Sequence, residues 1–522
     1  MHRVRPSWDN VFPMSAPHLA RSGSATLLMV DDAPFVIRGG ELGNSSAERS
    51  YLDEFWPKLE AIGLNTIVAP VYWHAIEPHE GAFDWTLVDE LLDDARAHGM
   101  RLVLLWFGTW KNSMSCYAPA WVKTDLTRFP RARTARGRTL ELLTPFVAES
   151  RDADARAFAA LMGHLREVDE QHTVIMVQVE NEIGMIEDPR DHSDQADAAF
   201  AGPVPAELLP AGAAPGTWVE VFGDSPAAQE RFMAWAFARY VDAVAAAGKA
   251  ELALPMYTNA ALIRPGATPG QYPSAGPLPH LADAWRSGAP NLDFIAPDIY
   301  FPNFTEWADA YVASGSPLFV PEALRSIDAS ANALYAYGKH AALGFSPFSI
   351  ESISGEAEAY LTAAYGVIAQ LTPLIAEHAG DGTMTGLLPP SDDMRAPHRV
   401  RLADVVLSAS YERVGAPALA DGVINESGDS HGTRRLPSGA IVICTAPDEL
   451  VVAGIGVTLT FDAVDAGGDT VGILDCEEGR FDEDGIWRHT RWLSGDQTHQ
   501  GRHVRLEPGR FTVQRVRLYR YR

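Results

Sequence analysis

Val174-Ile-Met-Val-Gln-Val-Glu-Asn-Glu-Ile-Gly184 is a near-continuous apolar run that ends in carboxylates. Its length and β-branched content read as a strand buried on both faces, the pattern of a parallel sheet. Charges at the end of such a strand are costly unless they are hydrated, hydrogen-bonded, paired or used. A second run, Pro317-Leu-Phe-Val-Pro-Glu322, ends the same way. Two carboxylates that meet in one pocket can cleave a glycosidic bond, so the order of the strands decides whether Glu182 and Glu322 are such a pair.

Working outward from Val174, short β-branched or aromatic runs alternate with amphipathic helices from about residue 30 to 355, the signal of repeated βαβ units. Eight strands are predicted, near Phe35–Arg38, Thr66–Val71, Leu102–Phe107, Val174–Val179, Leu252–Tyr257, Phe294–Ile299, Leu318–Val320 and Phe345–Ile350. Helical spacing joins Leu52, Phe55, Trp56, Leu59 and Ile62, with Gly63 as the stop and Ser45-Ser-Ala-Glu48 as a capping box at the start. Leu87, Val88, Leu91, Leu92 and Ala95 repeat the pattern, and Phe232, Trp235, Phe237, Tyr240 and Val241 line another helix. Eight units match a (β/α)₈ TIM barrel. The rival, a doubly wound open sheet, lacks a Gly-rich phosphate loop after its first strand. Glu182 then ends strand four and Glu322 strand seven, where their side chains approach across the barrel mouth.

Long insertions follow strands three, four and five, at 108–150, 185–225 and 259–290, and such loops build an active-site rim. Past about residue 380 the pattern changes to short alternating strands with Gly/Asp turns: Ala440–Cys444, Leu450–Val452, Val457–Phe461, Thr470–Ile473 and Phe511–Tyr521. The expected organisation is therefore a catalytic barrel over 1–380, with an N-terminal extension over 1–30, and a C-terminal all-β, sandwich-like domain over 381–522. Pro389–Pro397 reads as the surface linker.

The chain has 522 residues, 47% hydrophobic and 21% charged, with a net charge of −26. That sign argues against nucleic acid and anionic membranes as partners and is compatible with a neutral or cationic substrate. No apolar stretch reaches the ~18 residues of a membrane span. Cys116, Cys444 and Cys476 form no metal-ligand or disulfide spacing. The N-terminus carries no apolar signal core, so a cytoplasmic protein is expected; a trimmed signal would make it periplasmic or secreted. No metal or other cofactor is implied, and homo-oligomer formation is left open.

The residues around the two glutamates resemble a known family. Gln178-Val-Glu-Asn-Glu-Ile-Gly184 resembles the acid/base motif of glycoside hydrolase family 35, the β-galactosidases of clan A. Arg38-Gly-Gly-Glu-Leu42 resembles that family's opening segment, and Tyr72-Trp-His-Ala-Ile-Glu-Pro-His-Glu-Gly-Ala-Phe-Asp-Trp85 its second-strand signature. Pro321-Glu322 resembles the nucleophile position. The segments from Gly439, Thr498 and Val513 look like the β-domain appended in a bacterial branch. The resemblance implies a retaining exo-β-galactosidase, with Glu182 as acid and then base, Glu322 as nucleophile and Asn181 on the sugar 2-hydroxyl. Tyr300 is the candidate hydroxyl that orients Glu322. Other substrate-binding candidates are Tyr72, Trp73, Glu41, Trp110 and Glu351. The family's carboxylate after strand three is absent from Trp106-Phe-Gly-Thr-Trp-Lys-Asn112, and Pro70 stands where its tyrosine is expected. These changes touch sugar recognition rather than the catalytic pair. Alternatives are a β-glycosidase of the same fold for arabinopyranose or glucose, and an inactive carbohydrate-binding protein.

Strand alternation alone puts Glu180 and Glu182 on one face and does not choose between them; the resemblance favours Glu182 and leaves Glu180 to fix its neighbours. Glu322 could instead be a helix-start carboxylate. Glu77 reads as a loop anchor through a salt bridge, and Trp73, Trp106 and Trp110 as sugar platforms or core. His74 and His79 lack partners for a metal, Cys116 lacks a base, and the acidic run Glu187–Asp194 reads as a solvated loop.

Overall fold

The structure is a computed structural model that describes residues 15–390, 397–411, 436–464 and 469–522. The amino-terminal stretch and most of the Pro389–Pro397 segment lie outside them. Eight parallel strands close a barrel: β1 (Ile37–Glu41), β2 (Thr66–Tyr72), β3 (Arg101–Lys111), β4 (Val174–Asn181), β5 (Met256–Ala261), β6 (Phe294–Ile299), β7 (Phe319–Ala323) and β8 (Gly344–Pro347). Their neighbour order is their chain order, with β8 closing on β1. A principal helix follows each: α1 (Trp56–Ile62), α2 (Thr86–Ala97), α3 (Ala148–Val168), α4 (Pro226–Glu251), α5 (Ala282–Gly288), α6 (Phe304–Ala313), α7 (Ala329–His340) and α8 (Gly355–Glu377). The TIM-barrel expectation is met.

The departures have local causes. β1 lies later than predicted because Arg38-Gly-Gly-Glu41 is too polar to read as a buried strand. β5 starts only at Met256, paired with Val177, since the residues before it include Pro255, which has no N–H for a ladder. β8 stops at Pro347, and Ser349 turns left-handed into a short 3₁₀ turn. The capping box is not formed. Arg49–Leu52 is a single turn preceded by Glu48, with no side-chain cap, and Ser46 bonds Glu351 instead.

A hairpin, His18–Ser22 with Ala25–Val30, lies at the amino-terminal end of the strands. It is tied there by Asp31, which accepts from Arg101 at the start of β3 (2.5 Å) and contacts His172 just before β4. The carboxyl ends of the strands are at the opposite end.

Among the described residues, ten strands follow the barrel: β9 (Met384–Leu387), β10 (His398–Leu402), β11 (Val405–Tyr411), β12 (Gly439–Ala446), β13 (Glu449–Ile455), β14 (Val457–Ala463), β15 (Thr470–Phe481), β16 (Trp487–Trp492), β17 (Val504–Leu506) and β18 (Thr512–Tyr521). They form two antiparallel sheets, β9-β12-β13-β18-β15-β16 and β10-β11-β14-β17. Alternation gives the larger sheet two apolar faces. Ile441, Ile443, Val451, Ala453 and Val513 join the barrel's core, while Ala440, Val442, Leu450 and Val452 join the core between the sheets. Contact with the barrel is close: a Cβ on Gly338 of α7 would lie 2.8 Å from the Thr385 carbonyl oxygen of β9, so only glycine fits there. Helix α8 is long and apolar enough in composition to cross a membrane. Here it packs against α1, α7 and the larger sheet, which accounts for its composition.

Candidate active site

Six strands deliver a polar side chain to the barrel mouth. Glu41 ends β1, Lys111 ends β3 and Asn181 ends β4, with Glu182 next; Asn259, Asp298 and Glu322 come from β5, β6 and β7. Pairing sets their neighbours, for Lys111 is in register with Asn181 and Asp298 with Glu322. Each is buried. One carboxylate oxygen from each of Glu182, Asp298 and Glu322 lies within 4.8 Å of the others. The two glutamates therefore do converge. Three carboxylates at that spacing could also hold a cation, but the Lys111 ammonium already contributes positive charge among them.

Three donors meet on Glu322. Tyr300 gives its hydroxyl to Oε2 at 2.6 Å, and the amides of Asn181 and Asn259 reach Oε1 at 3.3 and 3.4 Å. Burial and the nearby Glu322 charge push the Tyr300 phenol far up, so it stays a donor. Asn259 also bonds Asp298 at 2.7 Å and receives the Glu182 backbone N–H at 2.9 Å. One amide thus ties β4, β6 and β7 together. Asn112 donates its amide to Glu182, and Lys111 gives one N–H to Asn181 Oδ1 at 2.5 Å, which turns the Asn181 amino group toward Glu322.

The charges are crowded. Burial, and next the facing Glu322, raise the Glu182 pKa to about 7, with Lys111 opposing. Burial and then Glu322 also push Asp298 and Glu41 well above the carboxylate range. Burial disfavours the charge on Lys111, but the surrounding carboxylates outweigh it and its pKa rises. The mouth so holds an acid that keeps its proton near neutral pH beside a carboxylate fixed by three donors, the division of labour that two-carboxylate chemistry needs.

Glu180 and Glu182 are separated by backbone geometry. Both are left-handed, with φ of 63° and 43°, a conformation that costs side-chain-bearing residues about 1–3 kcal/mol each. The double turn breaks the strand's alternation. Asn181 and Glu182 enter the mouth, whereas the Glu180 carboxylate sits behind β3. There it accepts the backbone N–H of Thr109 (3.0 Å) and of Trp110 (2.6 Å). Asp154 of α3 joins it, bonded by Trp106 Nε1 at 2.8 Å, and burial together with Asp154 raises the Glu180 pKa strongly. Gly108 makes room, since a Cβ there would lie 2.7 Å from Glu180 Oε1 and 2.9 Å from Asp154 Oδ1. The register shift in β3 between Trp106 and Lys111 is this bulge, and it carries Lys111 and Asn112 into the mouth.

Several other candidates sit elsewhere. Trp73, Trp106 and Trp110 are fully buried: Trp73 bonds Glu77 and packs on Trp106, and Trp110 bonds the Leu143 carbonyl beneath Tyr240. They are core rather than sugar platforms. Glu351 spends its oxygens on Ser46, Ser349 and the Gly43 N–H, pinning the β1 and β8 loops together. Glu77 anchors its loop by hydrogen bonds from Trp73 and Gly81 and, among the described residues, not by a salt bridge. Tyr72 stacks on Tyr117 in the wall beside Phe107, its hydroxyl buried beside the Ala47 backbone. The acidic run is not simply solvated, for Asp191 is buried and accepts from Thr144, Ser193 and the Arg133 N–H, joining the first two insertions. Sequence reading missed Lys111, Asn112, Asn259 and Asp298. Lys111 carried a usable signal, a lone charge closing the apolar run Leu102–Trp110, as Glu182 and Glu322 close theirs.

Residues 46–245 match the model of glycoside hydrolase family 42, described as Beta-galactosidase. Residues 361–505 match a Domain of unknown function (DUF5597). The chain is 28% identical over 197 residues to a Beta-galactosidase of Xanthomonas manihotis, covering 35% of this chain and 29% of that protein. It is 31% identical over 84 residues to the human Beta-galactosidase-1-like protein 2, covering 16% and 13%. The match thus spans less than a third of either curated relative. Among solved structures, a β-galactosidase from psychrophilic Marinomonas ef1 has a TM-score of 0.49 at 15% identity, over 66% of this chain and 61% of that one. A cold-adapted β-galactosidase from Rahnella sp. R3 has 0.47 at 16%, over 68% and 58%. By sequence, residues 46–245 are similar to β-galactosidase-type glycoside hydrolases. The finer expectation of family 35 is corrected, because the family model that matches is that of family 42.

Proposed function

We propose that the protein is a retaining exo-β-glycosidase that removes terminal β-galactose from oligosaccharides or glycosides. The reading rests on one observation above the others: a Glu182 oxygen and a Glu322 oxygen lie within 4.8 Å of each other in a buried strand-end site. Retention goes with carboxyls about 5 Å apart, whereas inversion needs about 6.5–9.5 Å to admit a water. Glu322, oriented by Tyr300, Asn181 and Asn259, attacks the anomeric carbon. Glu182, protonated up to about pH 7, gives its proton to the leaving oxygen, and a glycosyl ester forms on Glu322. Glu182, now a base, deprotonates the water that cleaves the ester. Asn181 bonds the 2-hydroxyl, a contact that strengthens as charge develops on the ring.

Hydrolysis of 4-nitrophenyl β-D-galactopyranoside followed by proton NMR tests the reading. The first-formed sugar is expected to be the β-anomer; the α-anomer would overturn the double displacement. A second reading keeps the chemistry and changes the sugar to arabinopyranose or glucose. It is favoured by Lys111 in the stretch where the resemblance leads one to expect a carboxylate. Relative rates on the three aryl glycosides decide between them.

A further inference from the structure

Lys111 is buried at the end of β3 with its ammonium 4.9 Å above the Phe107 ring. An ammonium has three donors, and this one spends a single N–H, on Asn181. A buried ammonium is stable when paired. Glu322, Glu182, Glu41 and Asp298 all raise its pKa, yet among the described residues none makes a direct ion pair with it. The positive group and its carboxylates thus face one another across gaps. Glu41 is the counterpart on β1: it is fully buried against Glu322, and among the described residues no N–H or hydroxyl is donated to either of its oxygens. Asp298, whose Oδ1 accepts no N–H or hydroxyl among the described residues, lies in the same cluster beside Glu182.

A hydroxyl is the group that closes such a gap, since it accepts from the ammonium and donates to a carboxyl oxygen at once. A carboxylate ligand would add a further negative charge to a mouth that already holds four carboxyl groups. We infer that Lys111 and Glu41 form the hydroxyl-recognising wall of the sugar subsite, with Lys111 selecting a neutral pyranose through a hydroxyl that takes no part in the reaction. The inference rests on the glycosidase reading of this site and names its substrate class.

The test is calorimetric binding to the full chain of phenyl 1-thio-β-D-galactopyranoside, its 3-, 4- and 6-deoxy analogues, and the corresponding galacturonide. Wild type is expected to lose at least about tenfold in affinity when one of these hydroxyls is removed, as for a hydrogen bond to a charged group. Lys111→Met is expected to bind that deoxy analogue and the parent within about threefold of each other. Lys111→Gln, judged folded by circular dichroism, supplies the same comparison should the methionine variant not fold. Wild-type hydroxyl dependence retained in a folded Lys111 variant overturns the inference, as does tighter binding of the galacturonide or no binding of the neutral thioglycoside. If wild type shows the Lys111-dependent pattern but cleaves no aryl glycoside, the hydrolase reading fails and the hydroxyl wall stands. If it cleaves while the variants keep the full pattern, the hydroxyl wall alone fails.

Discussion

Two clusters of buried carboxylates lie back to back across β3 and β4, and they differ in how their oxygens are used. Behind the strands, Glu180 and Asp154 are held by two backbone N–H groups, an indole and the Tyr240 hydroxyl. In the mouth, Glu182, Asp298, Glu322 and Glu41 surround one ammonium, and among the described residues both Glu41 oxygens and one of Asp298 accept no N–H or hydroxyl. Both clusters raise carboxyl pKa values by burial. A raised pKa alone therefore does not mark a reactive group; here hydrogen-bond saturation separates the bulge that shapes the site from the mouth, where acceptors are left unspent. A closed cluster stabilises a conformation, whereas an open one keeps unspent hydrogen bonding for a substrate.

Substitutions on either side of β4 should break the molecule in different ways. The largest effect belongs to Glu322→Ala, expected to lower kcat by at least about 10⁴, as for loss of a catalytic nucleophile. Azide should restore turnover and yield the inverted glycosyl azide. Near wild-type turnover without azide would dismiss Glu322 as nucleophile.

Glu182→Ala comes next, with a loss of about 10²–10⁴ on glycosides with poor leaving groups and a small one on activated aryl glycosides, because only the former need a proton. The sign of the pH effect follows. Burial and Glu322 keep Glu182 protonated up to about 7, so kcat/KM should fall as pH rises through that value. The alanine variant should lose this alkaline limb; a limb that persists unchanged assigns it to another group.

The smallest effect on turnover is expected for Glu180→Gln. One N–H of the Thr109–Trp110 pair then meets an amide NH₂ instead of an oxygen, a loss of about 1–3 kcal/mol in stability. Thermal melting should detect it, while kcat stays within about tenfold. A loss as deep as that of Glu322→Ala would erase the distinction between the two clusters.

Much of the barrel was legible because buried parallel strands are written as apolar runs: β2, β4 and β6 begin at their predicted residues. β1 was displaced because glycines and charges fill it. Edge pieces of the C-terminal sheets, such as His398–Leu402 and Trp487–Trp492, are polar on one face or short and left no such mark. In the site, Glu182 and Glu322 were readable as charges that end apolar runs. The choice between Glu180 and Glu182 was not, since it depends on two left-handed residues that period-two reasoning does not foresee. Asn259 and Asp298 stayed hidden because their importance comes from strand register, which appears only when β4 to β7 stand side by side.

Trapping the glycosyl-enzyme tests the account most directly. The protein is treated with 2-deoxy-2-fluoro-β-D-galactosyl fluoride and digested, and the labelled residue is located by mass spectrometry. One fluorogalactosyl ester is expected, on Glu322, with Glu180 and Glu182 unmodified. An ester on either of those two, or none while the enzyme still turns over galactosides, would contradict it.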